Sequence, residues 1–142
     1  MDRLDIQLVP GADEHGGRWV GVHLLVNGED LKDLVADFEK KGGYDPAGGY
    51  DALALDGLEP AIDRLTGKPN GWPRGGQTVL LVCESDREEG CWPIFARISM
   101  GDELVEWRDF EQPHRPERDY SELAFTFSRS QYDAELRRAL GA

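Results

Sequence analysis

The sequence predicts an α+β domain, a mostly antiparallel sheet of about five strands in the order ββααβββα with helices packed against it. Three observations carry that class. Two runs with period-2 alternation occupy the first 26 residues, an apolar stripe at helical spacing spans Leu31 to Phe38, and a continuous apolar run from Thr78 to Cys83 precedes two further alternating segments. At 142 residues and 39% hydrophobic content, the chain is read as one domain, 1–142, able to bury a core without disulfides.

In order, Leu4, Ile6 and Leu8 alternate with Asp5 and Gln7, and Pro10-Gly11 is expected to end that strand. Val20, Val22, Leu24 and Val26 alternate with Gly21, His23 and Leu25, giving a second strand that pairs with the first. Asn27-Gly28 closes it, and Asn27 is the expected cap of the next helix, with Asp30 at its third position favouring the dipole. Leu31, Leu34, Val35 and Phe38 fall at i, i+3, i+4 and i+7, backed by Lys32, Asp33, Asp37 and Lys40, and Gly42 stops the helix. Residues 42–57 read as a glycine-rich connection. Leu58, Ala61, Ile62 and Leu65 return to helical spacing, with Asp56 as cap, Pro60 in the first turn and Gly67 past the end. Lys68 to Gly76 is a loop by composition.

Thr78 to Cys83 suits a central strand covered on both faces. Trp92, Ile94, Ala96 and Ile98 alternate next, and Gly101-Asp102 turns the chain into Leu104 to Phe110, completing an antiparallel meander of three strands. Glu111 to Glu122, with Pro113 and Pro116, is irregular. Ser128 and Gln131 form a capping-box pattern ahead of Tyr132, Leu136 and Leu140, and Gly141 ends that helix.

The net charge of −12 repels phosphate backbones and anionic headgroups, so nucleic acid and membrane surfaces are not expected partners. It attracts a basic protein or a cation, although solubility alone also explains an acidic surface. No basic segment leads into an apolar run, and no stretch approaches the roughly 18 apolar residues of a membrane span, so a cytoplasmic location is expected. Hydrolase, phosphate-loop, zinc-protease and dinucleotide signatures are absent from the sequence. Gly-Gly-Tyr-Asp occurs at 42–45 and again at 48–51, and Tyr44 and Tyr50 on that backbone are candidate partner contacts. A plain connector is the alternative.

The only two cysteines, Cys83 and Cys91, bracket an acidic loop between two strands. The spacing is compatible with a disulfide, with half of a metal site, or with two reduced thiols, and sequence does not choose among them. A zinc site needs about four ligands, for which Cys83, Cys91 and His114 are available, joined by His23 or Glu84. Glu84, Asp86, Glu88 and Glu89 disfavour a reactive thiolate at either cysteine. His114, between two prolines, has the chemistry of a loop acid or base, or of a structural side chain beside Trp107 or Phe110. His23 reads as a structural histidine.

Gly90-Cys91-Trp92-Pro93, followed by Val105-x-Trp107-x-Asp109-Phe110-x-Gln112-Pro113-His114-Arg115 and by Gln131-Tyr132, resembles a family of small actinobacterial proteins with no established activity. The resemblance covers most of the chain from Val79 onward and implies a common fold. Members carry a further cysteine in the loop where this chain has Ser85, and Asp86 replaces a glycine, so a three-thiolate metal site is not implied here. The expectation from sequence is a non-enzymatic acidic interaction module, of the kind a small immunity or inhibitor protein represents. The alternatives are a zinc-supported site at Cys83, Cys91 and His114, and a small-molecule enzyme whose residues converge only in the fold.

Overall fold

In the computed structural model the described residues are 1–12, 16–56, 60–68, 77–84 and 93–141. The α+β class and the antiparallel pairing hold, but the described residues form eight strands and three helices rather than about five strands in the expected order. The elements are β1 (Leu4–Ala12), β2 (Arg18–Val26), β3 (Glu29–Asp30), α1 (Leu31–Lys41), β4 (Tyr50–Ala54), α2 (Ala61–Leu65), β5 (Gln77–Cys83), β6 (Ile94–Met100), β7 (Leu104–Glu111), β8 (Phe125–Ser128) and α3 (Arg129–Leu140). The sheet runs β1-β2-β4-β5-β6-β7-β8, with β3 hydrogen-bonded to β2 off that path. No helix among the described residues is long and apolar enough to cross a membrane.

Each added strand has a local cause. Asn27 and Gly28 both take positive φ, 54° and 87°, the primed-turn geometry that fits the twist of a two-residue hairpin. They therefore join β2 to the two-residue β3, and Asp30, not Asn27, is the helix cap, its carboxylate accepting from Lys32 N at 3.1 Å. Asn27 is used elsewhere: its side chain accepts from Arg3 N and donates to Asp2, pinning the start of the chain. β4 emerges from the glycine-rich connection with only Tyr50 to signal a strand, and its partners, β2 and β5, supply the rest. β8 abuts α3 so closely that Ser128 ends one and caps the other.

β1 also runs past the expected stop to Ala12. It is an edge strand, and Pro10 alternates with the residues whose backbone faces β2, so its missing N–H removes no ladder bond. α2 begins only at Ala61, with Pro60 as its cap residue; Asp56 does not cap it, and the expected start at Leu58 lies outside the described residues.

β5 is the middle strand and is buried along its whole length, as its unbroken apolar run requires. The core joins it to Leu31 and Val35 of α1, Ala61 and Leu65 of α2, and Tyr132 and Leu136 of α3. The two ends of the sheet are tied together. Asp2 makes a parallel bridge to Phe127 of β8, and α3 packs on both β1 and β8. From α3, Gln131 donates to Leu4 O and accepts from Leu4 N, Glu135 accepts from Ile6 N at 2.6 Å, and Arg138 donates to Ile6 O. These side chains occupy the backbone groups that an adjoining strand otherwise takes. Ser128 does accept from Gln131 N, but the Gln131 side chain clamps β1 instead of completing a capping box.

One irregularity redirects the chain towards the site described next. Between Phe95↔Glu111 and Arg97↔Arg108 the β7 strand carries one residue more than β6, a bulge at Asp109, whose φ is 53°. The extra residue shifts the alternation. Val105 and Trp107 face the core before it, Phe110 and Gln112 after it, so Asp109 and Glu111 stay out of the interior. Phe125 packs edge-on against both Trp107 and Phe110 across the bulge.

Candidate functional site

The most concentrated chemistry among the described residues surrounds Glu39, fully buried in the last turns of α1. Glu39 lies four residues after Val35 and eight after Leu31, so the helical period that buries those two also turns the carboxylate inward. Burying a charge is tolerable only if it is paired and hydrogen-bonded. Four donors converge on it. Oε1 accepts from Gly48 N at 2.8 Å, and Oε2 accepts from Tyr50 Oη at 2.6 Å, Tyr120 Oη at 2.5 Å and Arg118 Nη1 at 3.1 Å. The second Arg118 nitrogen donates to Pro46 O at 2.6 Å, and the guanidinium lies 5.2 Å above the Tyr44 ring.

Burial, and then the hydrogen bond to the Glu39 carboxylate, push the Tyr50 and Tyr120 hydroxyls well above the usual phenol range. Both therefore stay protonated donors. The network joins three separate segments: the end of α1, the 42–50 connection, and residues 118–120. Tyr44 adds a fourth tie by accepting from Asp119 N, and Phe38 stacks on Tyr120.

Beside this network the segment from Asp109 to Ser121 encloses a cleft of about 480 Å³. Phe110, Gln112, Pro113, Arg118 and Tyr120 are among its walls. Gln112 is 1% exposed. Its side chain sits in hydrogen-bonding contact with the Tyr50 hydroxyl, and that contact moderates the rise in the Tyr50 pKa.

The outer side of the same segments is acidic. Asp33 and Asp37 project from α1, Asp45 from the connection, Glu117 and Asp119 from the cleft segment and Glu122 from just after it; all are exposed. Asp33, Asp51 and Glu84 line a separate depression of about 260 Å³ together with Lys32. Lys40 and Lys41, in the last turn of α1, are the exposed cations beside this face. Several arginines elsewhere are joined to carboxylates of their own surface, as in Arg97 with Asp109, Arg108 with Glu106 and Arg129 with Asp133.

The residues singled out from sequence fall in different places. Tyr50 is 4% exposed and bonded to Glu39, so it is an interior strut and not the surface contact expected of it. Tyr44 is half-buried at the edge of the same network. Cys83 is buried at the end of β5, opposite Tyr50 in β4. Cys91 and His15 lie outside the described residues. His114 is exposed in the turn after β7 and not packed into the interior beside Trp107 or Phe110. No group of three or more His, Cys, Asp or Glu side chains among the described residues is placed to hold a metal ion. His23 pairs with Asp30 at 2.7 Å, a structural role. Glu39, Arg118 and Tyr120 were missed; the signal for Glu39 was its place on the apolar stripe of α1.

No family model matches the chain, and no solved structure matches it. A stretch of 51 residues is 43% identical to polyribonucleotide nucleotidyltransferase of Corynebacterium jeikeium (strain K411), covering 36% of this chain and 6% of that protein.

Proposed function

We propose that this protein is a non-enzymatic binding module that recognises a basic protein partner through its acidic face. The observation that carries the reading is the convergence on Glu39. One buried carboxylate fastens the end of α1, the 42–50 connection and residues 118–120; exposed Asp45 and Asp119 stand on those segments, and exposed Asp33, Asp37, Glu117 and Glu122 stand on α1 or next to 118–120. A surface whose charges are already positioned loses less freedom on binding, and opposite charge accelerates encounter. Tyr44, half-buried and accepting from Asp119 N, contributes contact area beside those carboxylates.

The test is charge reversal away from the buried network. Partners are captured at low ionic strength with the wild-type protein, and their association rates are followed by biolayer interferometry over a salt series. A variant carrying Asp33→Lys, Asp37→Lys, Glu117→Lys and Glu122→Lys is expected to associate at least about tenfold more slowly and to lose most of the salt dependence. Unchanged affinity and unchanged salt dependence for every captured partner would dispose of the proposal.

A further inference from the structure

We infer that Asn27 is a site of spontaneous deamidation, held in check by its hydrogen bonds to the first residues of the chain, and that its conversion to aspartate or isoaspartate loosens the closure between the two ends of the sheet. This concerns a different region from the acidic face and does not depend on the basic partner.

The chemistry resides in the Asn27-Gly28 pair. The Gly28 backbone nitrogen attacks Cγ of Asn27; the new N–C bond forms, the Cγ–Nδ2 bond breaks, and the amide group leaves as ammonia with the proton that Gly28 N gives up. Water then adds to one of the two carbonyls of the resulting succinimide and breaks its C–N bond, leaving aspartate or isoaspartate. Tethering makes the first step intramolecular, and glycine, with no Cβ, leaves its nitrogen open to approach. Both residues are exposed, and nothing lies within 4 Å of where a Gly28 side chain would stand. Among the described residues the Gly28 N–H makes no hydrogen bond.

The nucleophile is thus unencumbered, but the group it must reach is held. Asn27 Oδ1 accepts from Arg3 N at 2.9 Å, Nδ2 donates to Asp2 Oδ1 at 2.9 Å, and the Asn27 backbone N donates to Arg3 O at 2.9 Å. The β2–β3 hairpin fixes the residue at a left-handed φ of 54°. Ring closure requires the amide to leave both partners and turn onto Gly28, so in the folded protein the reaction waits on local opening.

The product no longer fits. Asp2 is a joint: besides Asn27 it accepts from Thr126 N at 2.8 Å and donates its own N–H to Thr126 O at 2.8 Å, linking the 27–28 turn to β8. Deamidation removes the donor and sets a second carboxylate against that of Asp2, where like charges repel. Isoaspartate also lengthens the backbone of a two-residue turn whose pairing, Val26↔Glu29 and Leu25↔Asp30, places the cap of α1 and the partner of His23. Opening permits the reaction, and the reaction makes the next opening easier.

The experiment follows the full-length folded protein at mildly alkaline pH by peptide mass spectrometry that resolves isoaspartate, against the free 19–32 peptide. Conversion at Asn27 is expected to be at least about tenfold slower in the folded protein than in the peptide, and faster in Asp2→Ala than in wild type. A second readout is the urea midpoint. Asn27→Asp is expected to lower it, and exchange of the pair, Asp2→Asn with Asn27→Asp, to recover most of the loss because donor and acceptor face each other again. Conversion as fast in the folded protein as in the peptide would overturn the inference, as would its absence from both wild type and folded Asp2→Ala. An unchanged midpoint in Asn27→Asp, or no recovery in the exchanged pair, would overturn it whatever the fate of Asp2→Ala.

Discussion

Two glutamates turned inward from two helices show how differently this fold answers the same problem. Glu135 on α3 is served locally: Arg138, three residues along, bonds both of its oxygens, and Ile6 N completes the set from the edge strand. Its cation stays in water, the Arg138 side chain being 61% exposed. Glu39 on α1 is served by Arg118, 79 residues away in sequence, with 2% of that side chain exposed. A pair that keeps one member solvated contributes little to stability, whereas a pair withdrawn from water is expensive to split. α3 therefore uses its charges to close a sheet edge, and α1 uses its charge to fasten three chain segments beneath a surface.

The comparison is broken most directly at Arg118. Arg118→Met leaves the Glu39 carboxylate buried without its cation and is expected to cost about 3–5 kcal/mol, read as a lower urea midpoint. In a simple buried pair, replacing the second member by an apolar side chain recovers much of that loss. Here it should not, because Tyr50, Tyr120 and Gly48 all donate to Glu39 and would be stranded by Glu39→Met. A double variant as stable as wild type would show that Glu39 is an ordinary ion pair and not the junction of the network.

The junction was only half legible in the sequence. The α1 stripe of Leu31, Leu34, Val35 and Phe38 was readable from its spacing, and by the same rule Glu39 belonged to the buried side. Its partners were not readable, because Arg118 and Tyr120 sit in a segment with no regular element and reach Glu39 only through tertiary packing. Tyr50 shows the opposite failure. The glycines around it signalled a loop, but pairing on both sides made a strand, and neighbours overrode local composition. The bulge was latent in the pattern: apolar residues at 105 and 107 are followed by 110, a break in parity that marks an extra residue. Asn27-Gly28 carried a primed-hairpin signal stronger than its capping signal, and the chain follows the stronger one. The meander of β5, β6 and β7 was the most readable part, since β5 declares its burial by an unbroken apolar run and the other two by alternating apolar residues.

A smaller effect sharpens the account of the network. Tyr50→Phe and Tyr120→Phe each remove a hydrogen bond to a buried charge and are expected to cost about 1.5–3 kcal/mol apiece. Because both hydroxyls donate to the same oxygen, Oε2, the double variant should depart from the sum of the two. An alkaline absorbance titration tests the same point. Burial raises the hydroxyls of Tyr50, Tyr120 and Tyr132 above the phenol value, Tyr132 being further engaged with Leu65 O and Trp107 Nε1. A raised folded-state pKa contributes stability that is complete below the unfolded value near 10 and declines as pH climbs beyond it. Three of the four tyrosines should thus ionise only as the chain unfolds. Reversible ionisation of more than one in the native protein would contradict the burial.

The smallest effect belongs to Glu135, and it carries the opposite pH signature. The hydrogen bond from Arg138 lowers the Glu135 pKa, burial opposes it, and the Ile6 N–H lowers it further; the net shift is downward. A carboxylate whose folded-state pKa is depressed contributes stability that is present above its unfolded value, about 4.3, and is lost as pH falls through the folded value. At neutral pH, Glu135→Gln is expected to cost less than about 1 kcal/mol, since the cation of the pair remains in water. As pH falls from the unfolded value through the depressed folded one, the wild type should lose stability faster than the variant until the two converge. Parallel curves over that interval would mean that Glu135 is not held ionised by Arg138 and the Ile6 N–H. The clamp on Leu4 and Ile6 would then rest on Gln131 and the Arg138 bond to Ile6 O, contacts that do not titrate in this range.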